Sequence, residues 1–368
     1  MRRRIVSQTG FSLVELLVAL VFTAILMAGM ASVFKSSLST FVTSGEGVSS
    51  TRRNRLAMDL LSDDLNIAGQ YLALEAPPNG ITAANPGFII NPKVAFTGTD
   101  IPTSDAFTDE LLFYFDEPLP FEGQLAADQL GTASYVASGA AAPVGTGFDI
   151  TFSGSDASAQ AAQVKAGMML ITRGNYEHKQ VLTASATGGK ATVTVDGLFS
   201  GKHLGTEGIL IAKPAQYVRY RIQSQNWDPE KQADPKGGIP CLIREQGNYP
   251  GTGAFTPDAT LTTIVAENVS RFTVSLSADR GATWTTGDDW NAVKTSLNTQ
   301  LATSGIPGFT SIGNSAHWYR SVPLLVRVNV TTRTTRARSE FSTTGNTLAY
   351  KEQTRSLMLL PRHFGLNF

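Results

Sequence analysis

Residues 10–34 have the sequence GFSLVELLVALVFTAILMAGMASVF, and this stretch decides the fold of the N-terminal part of the chain. Three arginines at positions 2–4 precede it, and Glu15 is the one charged residue between Phe11 and Phe34. A helix over these 24 residues spans roughly 36 Å, which is enough to cross the ~30 Å hydrocarbon core of a bilayer. The positive-inside rule then places the N-terminus in the cytoplasm and the rest of the chain across the membrane.

The charge inside this apolar segment needs an explanation. The segment exceeds the roughly 7–15-residue core of a secretory signal peptide and ends without an A-x-A-like cleavage site, which favours a retained helix. A carboxylate inside a membrane costs roughly 2.5–3.5 kcal/mol and usually has a partner. Cleavage between Gly10 and Phe11 would create an α-amino group with a pKa of about 8, one helical turn from Glu15. That amine, in the same chain or in a neighbour, is the expected partner.

The segment Gly10 to Leu20 resembles the class III signal of type IV prepilins and pseudopilins. The resemblance implies that a prepilin peptidase cleaves after Gly10 and methylates the new N-terminal Phe11. It also implies that Glu15 is needed for docking onto the growing filament. The side chains that would form the membrane anchor and the filament core are Leu13, Val14, Leu16, Leu17, Val18 and Leu20.

The helix is expected to continue to Leu74, because the first proline is Pro77 and apolar residues recur every three to four positions over 35–74. Gly45 and Gly47 predict a weak point in it, since each glycine costs about 1 kcal/mol against alanine. The expected apolar row is Leu38, Phe41, Val48, Leu56, Leu60 or Leu61, Leu65, Ala68 and Leu72. The charged side chains expected to face solvent, with a subunit contact as the less favoured alternative, are Arg52, Arg53, Arg55, Asp59, Asp63 and Asp64.

Residues 75–368 are expected to form a β-rich globular head. Short segments alternate between apolar and polar residues, which indicates antiparallel strands with one face covered, and the long helix is the obvious cover. The clearest segments are Leu111–Phe115, Ala191–Val195, Tyr217–Ile222, Phe272–Leu276 and Leu324–Val330. Residues 118–212 include a run rich in Ala, Gly, Ser and Thr, which predicts an inserted β-rich subdomain. The fold class expected is therefore α+β and pilin-like.

The expected organisation has four parts. Residues 1–10 are a leader that is removed, residues 11–34 are the transmembrane or filament-core half of the helix, and residues 35–74 are its amphipathic half. Residues 75–368 are the periplasmic or extracellular head. The order of Tyr217–Ile222, Cys241–Glu245, Val269–Val274, Asp279–Trp284 and Val326–Val330 is similar to that in PilW-type minor pilins and in the J-type pseudopilin of type II secretion. The length of this chain favours the PilW type.

No set of residues indicates an enzyme or a nucleic-acid binder. Lys+Arg and Asp+Glu are both 30, so the basic footprint of a phosphate-binding protein is absent. The nucleotide, zinc-protease and hydrolase motifs are absent too. The one cysteine, Cys241, is expected to be a buried structural residue, as is His317. No cofactor is expected. Asp279, Asp288 and Asp289 are the carboxylates that would supply calcium ligands, although solvated hairpin turns are favoured.

The leading hypothesis is a minor pilin of a type IV pilus, a structural and assembly subunit that is incorporated into the filament after processing by the prepilin peptidase, with priming or capping of the filament as an open role. The alternatives are a minor pseudopilin of a type II secretion system and a tip adhesin. The expected partners are the major pilin, other minor pilins, the prepilin peptidase and the inner-membrane assembly platform. The chain is expected to lie in the inner membrane as a single-pass protein, with a periplasmic head that later reaches the pilus or cell surface.

Overall fold

The computed structural model describes residues 12–70, 88–95, 107–115, 117–127, 129–130, 148–174, 177–195, 202–213, 216–225, 239–248, 257–285, 287–304, 322–334, 350–362 and 364. The chain divides into two compact units. The first comprises Met1–Arg52 and Thr334–Tyr350, and the second comprises Arg53–Arg333 and Lys351–Phe368.

The described helices and strands follow one another in this order: α1 (Leu13–Ile67), β1 (Phe88–Ala95), β2 (Phe107–Phe115), β3 (Pro118–Leu125), β4 (Gln129–Leu130), β5 (Phe148–Thr151), α2 (Ala157–Gln163), β6 (Met169–Thr172), β7 (His178–Thr187), β8 (Lys190–Val195), β9 (Lys202–His203), β10 (Gly208–Ala212), β11 (Gln216–Gln225), β12 (Ile239–Asn248), β13 (Thr263–Glu267), β14 (Val269–Ser277), α3 (Trp290–Ser304), β15 (Leu325–Arg333) and β16 (Glu352–Leu359).

Helix α1 has 55 residues and continues through Gly45 and Gly47, so the weak point expected there does not interrupt it. It ends at Ile67, seven residues before the expected end at Leu74. The cause is Gly69, whose φ of 76° is left-handed and stops the helix. The backbone N–H of Gly69 then donates to the carbonyl of Tyr114 in β2, at 2.8 Å. Residues 71–74 lie outside the described part of the chain.

In the second unit, the residues that α1 buries match the expected apolar row only in part. Leu61, Leu65 and Ala68 are buried as expected, but Leu56 is 63% exposed. The residues that share the buried face recur at helical spacing: Asn54, Ala57, Met58, Leu61, Asp64, Leu65 and Ala68. In the first unit, Leu38, Phe41 and Val48 are exposed.

A five-stranded antiparallel sheet has the spatial order β1-β2-β11-β12-β13. The alternation expected in β11 is confirmed. Val218, Tyr220 and Ile222 are buried in the main hydrophobic core, which also includes the buried apolar side chains of α1. Arg219 and Arg221 alternate with them and therefore lie on the opposite face of the sheet.

A second, three-stranded sheet has the order β14-β15-β16, again antiparallel. Side chains of β2 tie it to the first sheet, because the Thr108 hydroxyl donates to the carbonyl of Phe272 at 2.9 Å and Asp109 accepts the backbone N–H of Val274 at 2.7 Å. Burial raises the pKa of Asp109, although the hydrogen bond that it accepts from the backbone N–H of Val274 opposes the shift. Helix α3 buries Val293, Leu297 and Leu301 in the main core.

Six strands between residues 118 and 212 form a closed barrel with the order β10-β3-β5-β8-β7-β6. The barrel has a hydrophobic core of its own, which includes Ile150, Leu170, Val193 and Ile209. Gly123 of β3 lies next to the side chain of Ile150 in β5. A Cβ atom at that position would be 2.2 Å from the Cγ2 atom of Ile150, so only glycine fits without a shift of the barrel wall.

These elements place the chain in the α+β class. A long, apolar N-terminal helix is combined with sheets in which every described strand pair is antiparallel.

Candidate functional site

The first turn of α1 contains a reciprocal pair of hydrogen bonds between Ser12 and Glu15. The Ser12 backbone N–H donates to Oε2 of Glu15 at 3.0 Å, and the Glu15 backbone N–H donates to Oγ of Ser12 at 3.2 Å. This is a capping box, in which two N–H groups without helical partners are satisfied by side chains. The carboxylate of Glu15 is thereby directed toward the N-terminal end of the helix. Gly10 and Phe11, the expected processing residues, lie outside the described part of the chain.

The side chains that follow form an exposed apolar surface. Leu13 is 80% exposed, and each of the other expected anchor residues is also exposed: Val14, Leu16, Leu17, Val18 and Leu20. The most apolar 18-residue window of α1 has a mean hydropathy of 2.5, and none of it is buried within the chain. Among the described helices, α1 is the one long and apolar enough to cross a membrane. Water is an unfavourable environment for an apolar surface of this kind.

A buried carboxylate, that of Asp64, fixes the last turns of α1 to the five-stranded sheet. Asp64 accepts two hydrogen bonds from Arg244, at 2.5 Å from Nε and 3.1 Å from Nη2. The hydroxyl of Tyr220 donates to the same carboxylate at 2.5 Å. Tyr220 and Arg244 lie directly opposite each other on β11 and β12. Burial, and then the negative charge of Asp64, raise the pKa of Tyr220 well above its ordinary value, so the phenol remains a donor.

Asp64 was expected to face solvent, and that prediction is wrong. Its neighbours Leu61, Leu65 and Ala68 lie on the buried face of the helix, and Asp64 shares that face. The signal that could have identified it was the spacing of three and four residues from these apolar positions. Arg244 could have been found in the same way, because it lies two residues after the buried Leu242 in β12 and therefore on the same face of the sheet.

A second charge network lies on the opposite face of the five-stranded sheet. Glu245 follows Arg244 in β12, so its side chain has the opposite direction. It accepts hydrogen bonds from Nε of Arg219 at 2.5 Å and from Nη2 of Arg221 at 2.9 Å. Burial opposes the negative charge, but the hydrogen bonds from the two arginines lower the pKa of Glu245.

The three carboxylates considered for calcium each have a protein partner. Asp279 accepts hydrogen bonds from the hydroxyls of Ser277 and Thr283. Burial opposes its charge, but these bonds lower the pKa of Asp279 to about 2. Asp288 pairs with Lys93, and Asp289 accepts the backbone N–H of Ala292 in the first turn of α3. No group of three metal-binding side chains occurs in the described ranges.

Cys241 and His203 are both buried inside the fold. Cys241 is buried in β12, and burial raises the pKa of its thiol to about 11, which suppresses the reactive thiolate. His203 is buried next to two carboxylates, with Nδ1 at 2.9 Å from Glu207 and Nε2 at 3.2 Å from Glu177. His317 lies outside the described part of the chain.

Comparisons with known proteins give no relatives. The chain matches no protein-family model, no curated protein and no solved structure. Its function must therefore be argued from its own residues, above all from the first turns of α1 and from the way that its last turns are fixed.

Replacing Asp64 by alanine is expected to lower the free energy of unfolding of the second unit by about 3–5 kcal/mol, because it leaves the guanidinium of Arg244 buried without its carboxylate. Urea unfolding of the full chain in detergent, followed by tryptophan fluorescence, measures this change. Asp63→Ala is the matched control, since Asp63 is exposed and its loss should cost no more than about 0.5 kcal/mol. Equal losses in the two variants would contradict the assigned role of Asp64.

The lowered pKa of Glu245 predicts that the free energy of unfolding depends on pH in the acid range. Because its pKa is lowered below 4.5 in the folded chain, its charge stabilises the fold fully above about pH 4.5 and loses this effect as the pH falls through the lower, folded value. The difference in unfolding free energy between the wild type and Glu245→Gln should therefore shrink below about pH 4.5. Urea midpoints measured across this range test it, with the exposed Glu352→Gln as control. A difference that stays constant or grows in acid would refute the prediction.

Proposed function

We propose that this chain is a minor pilin of a type IV pilus, with a structural role in filament assembly. In this proposal the prepilin peptidase cleaves after Gly10, and Leu13–Phe34 holds the chain in the inner membrane. The assembly platform then moves the chain into a filament, where the same segment packs against helices of the major pilin and of other minor pilins. The observation that carries the proposal is one acidic residue, Glu15, at the start of an exposed apolar helix, within a segment that matches the class III signal at each motif position.

The physical state of Glu15 supports this role. Its carboxylate has a hydrogen bond from the N–H of Ser12, which satisfies one oxygen but supplies no full positive charge. In a membrane or among apolar helices an uncompensated carboxylate is unfavourable by roughly 2.5–3.5 kcal/mol. Cleavage after Gly10 would place a cationic amine on Phe11, two residues before the first residue of α1, and the amine of an adjacent subunit would provide the missing charge.

The second unit supports the proposal in a different way. Its core includes buried side chains from the last turns of α1 and none from the exposed apolar segment Leu13–Phe34. A subunit that moves from a membrane into a filament needs this arrangement, because the surroundings of the apolar segment change while the head keeps its fold.

Glu15→Ala is expected to be processed normally but to enter pili at least about tenfold less than the wild type, since a loss of ~1.4 kcal/mol already corresponds to tenfold. Immunoblots of sheared pili and of whole cells measure the incorporated fraction. Ser12→Ala is the matched control, because it removes the capping hydroxyl and keeps the carboxylate. Wild-type incorporation of Glu15→Ala would refute the pairing role.

Gly10→Glu is expected to leave an uncut precursor that remains in the inner membrane, because the resemblance assigns cleavage to the bond after Gly10. Mass spectrometry of the N-terminal peptide distinguishes the precursor from a chain that starts at Phe11. The matched control is Ser7→Ala within the leader, which should be cut as the wild type is. A chain that starts at Phe11 in the Gly10→Glu variant would contradict this assignment.

A further inference from the structure

An open cavity of about 420 Å³ lies where the barrel meets the start of β11. That volume is within the roughly 300–1,000 Å³ range of small-molecule sites in proteins. The apolar part of its wall comes from Leu119 of β3, Ala162 of α2 and Met168, which precedes β6. Leu119 is buried, Met168 is half-buried and Ala162 is exposed, so the wall extends from the barrel core to the surface.

The charged side chains of this cavity carry an excess of positive charge. Lys165, which follows α2, and Lys213, which follows β10, both line the cavity, together with Gln163 and Gln216. The ammonium of Lys213 pairs with the carboxylate of Glu117 at 2.8 Å. Within the described ranges, Lys165 has no ion-pair partner. The two lysines and the one glutamate therefore leave one positive charge uncompensated.

An uncompensated ammonium beside an apolar wall suits an organic anion. The ammonium of Lys165 would pair with the negative group, and the body of the ligand would remove apolar surface of Leu119 and Met168 from water, which is favourable. A monoanion matches the single charge. A phosphate dianion would bring a second negative charge without a partner next to apolar side chains, which is unfavourable.

We infer that this cavity is a binding site for a small monocarboxylate, with Lys165 as the cation that pairs with the carboxylate. Two sources have this chemistry: an aryl or alkyl acid, and a uronic acid, whose sugar ring has an apolar face of C–H groups. The side-chain amides of Gln163 and Gln216 are groups that can both donate to and accept from sugar hydroxyls. The inference goes beyond the proposed function, because it assigns a ligand to a barrel that has its own core and takes no part in filament assembly.

Saturation-transfer difference NMR on the full chain in non-ionic detergent tests the inference, with benzoate and galacturonate as the probes. Benzamide and galactose are the matched neutral molecules, and a sample of detergent alone corrects for uptake by micelles. At least one acid is expected to saturate a site on the chain. Its neutral counterpart should bind at least about fivefold more weakly, because it cannot form an ion pair with Lys165.

Three variants and a control locate the site. Lys165→Gln removes the charge and keeps a polar side chain, so it should weaken binding of the acid by about fivefold, whereas Lys165→Arg should stay within about twofold of the wild type. Ala162→Phe fills part of the cavity without a change of charge, and it should abolish saturation. Lys351→Gln, which changes an exposed lysine just before β16, is the control and should bind as the wild type does.

Binding of galacturonate without benzoate assigns a uronic acid as the ligand, and the reverse assigns an aryl or alkyl acid. The inference is overturned if neither acid saturates, if the neutral molecules bind as tightly as the acids, or if Lys165→Gln binds as tightly as the wild type. Urea midpoints equal to that of the wild type exclude misfolding of the variants. None of these measurements involves pili, so a failure here leaves the proposed function standing, and Glu15→Ala tests that function separately.

Discussion

The buried carboxylate of Asp64 determines how the last turns of α1 pack on the five-stranded sheet of the second unit. An ionised group that is removed from water needs partners at hydrogen-bond distance, and Arg244 and Tyr220 provide them from two adjacent strands. Apolar contacts such as those of Leu61 and Leu65 have little direction and tolerate small shifts. The charged hydrogen bonds are directional, so they fix both the rotation and the axial position of the helix.

Charged hydrogen bonds form on both faces of the sheet, because the side chains of adjacent residues in a strand point to opposite faces. Arg244 reaches α1 on one face of β12, and Glu245 holds Arg219 and Arg221 of β11 on the other. Nearer the N-terminal end of α1, the side-chain amide of Asn54 donates a hydrogen bond to the hydroxyl of Thr332 in β15, at 2.9 Å. The last turns of α1 are therefore fixed at two points, one on each sheet.

The sequence allowed the strands to be predicted because their period of two is local, as in Tyr217–Ile222 and Leu324–Val330. It also allowed a membrane-length helix to be predicted, because its apolar run is continuous. The end of that helix was misplaced, since Gly69 stops it before any proline does. Asp64 was misassigned because its partners are more than 150 residues away in the chain. Closure of the barrel likewise depends on pairings between distant segments, such as β3 with β10, which no local pattern contains.

Two of the carboxylates of helix α1, Glu15 and Asp64, have electrostatic surroundings that differ in kind. Asp64 pairs with the guanidinium of Arg244 and accepts a hydrogen bond from the hydroxyl of Tyr220, so its burial is compensated within its own chain. Among the described residues, the N–H of Ser12 is the donor to the carboxylate of Glu15, and the side chains that follow it in α1 are apolar and exposed. The free energy of the apolar segment therefore falls when a partner supplies both an apolar surface and a cation near the helix start. Under the proposed function, a neighbouring helix of the same kind with a free α-amino group would have both properties, whereas lipid tails would have only the first, and this difference would favour assembly over simple anchoring.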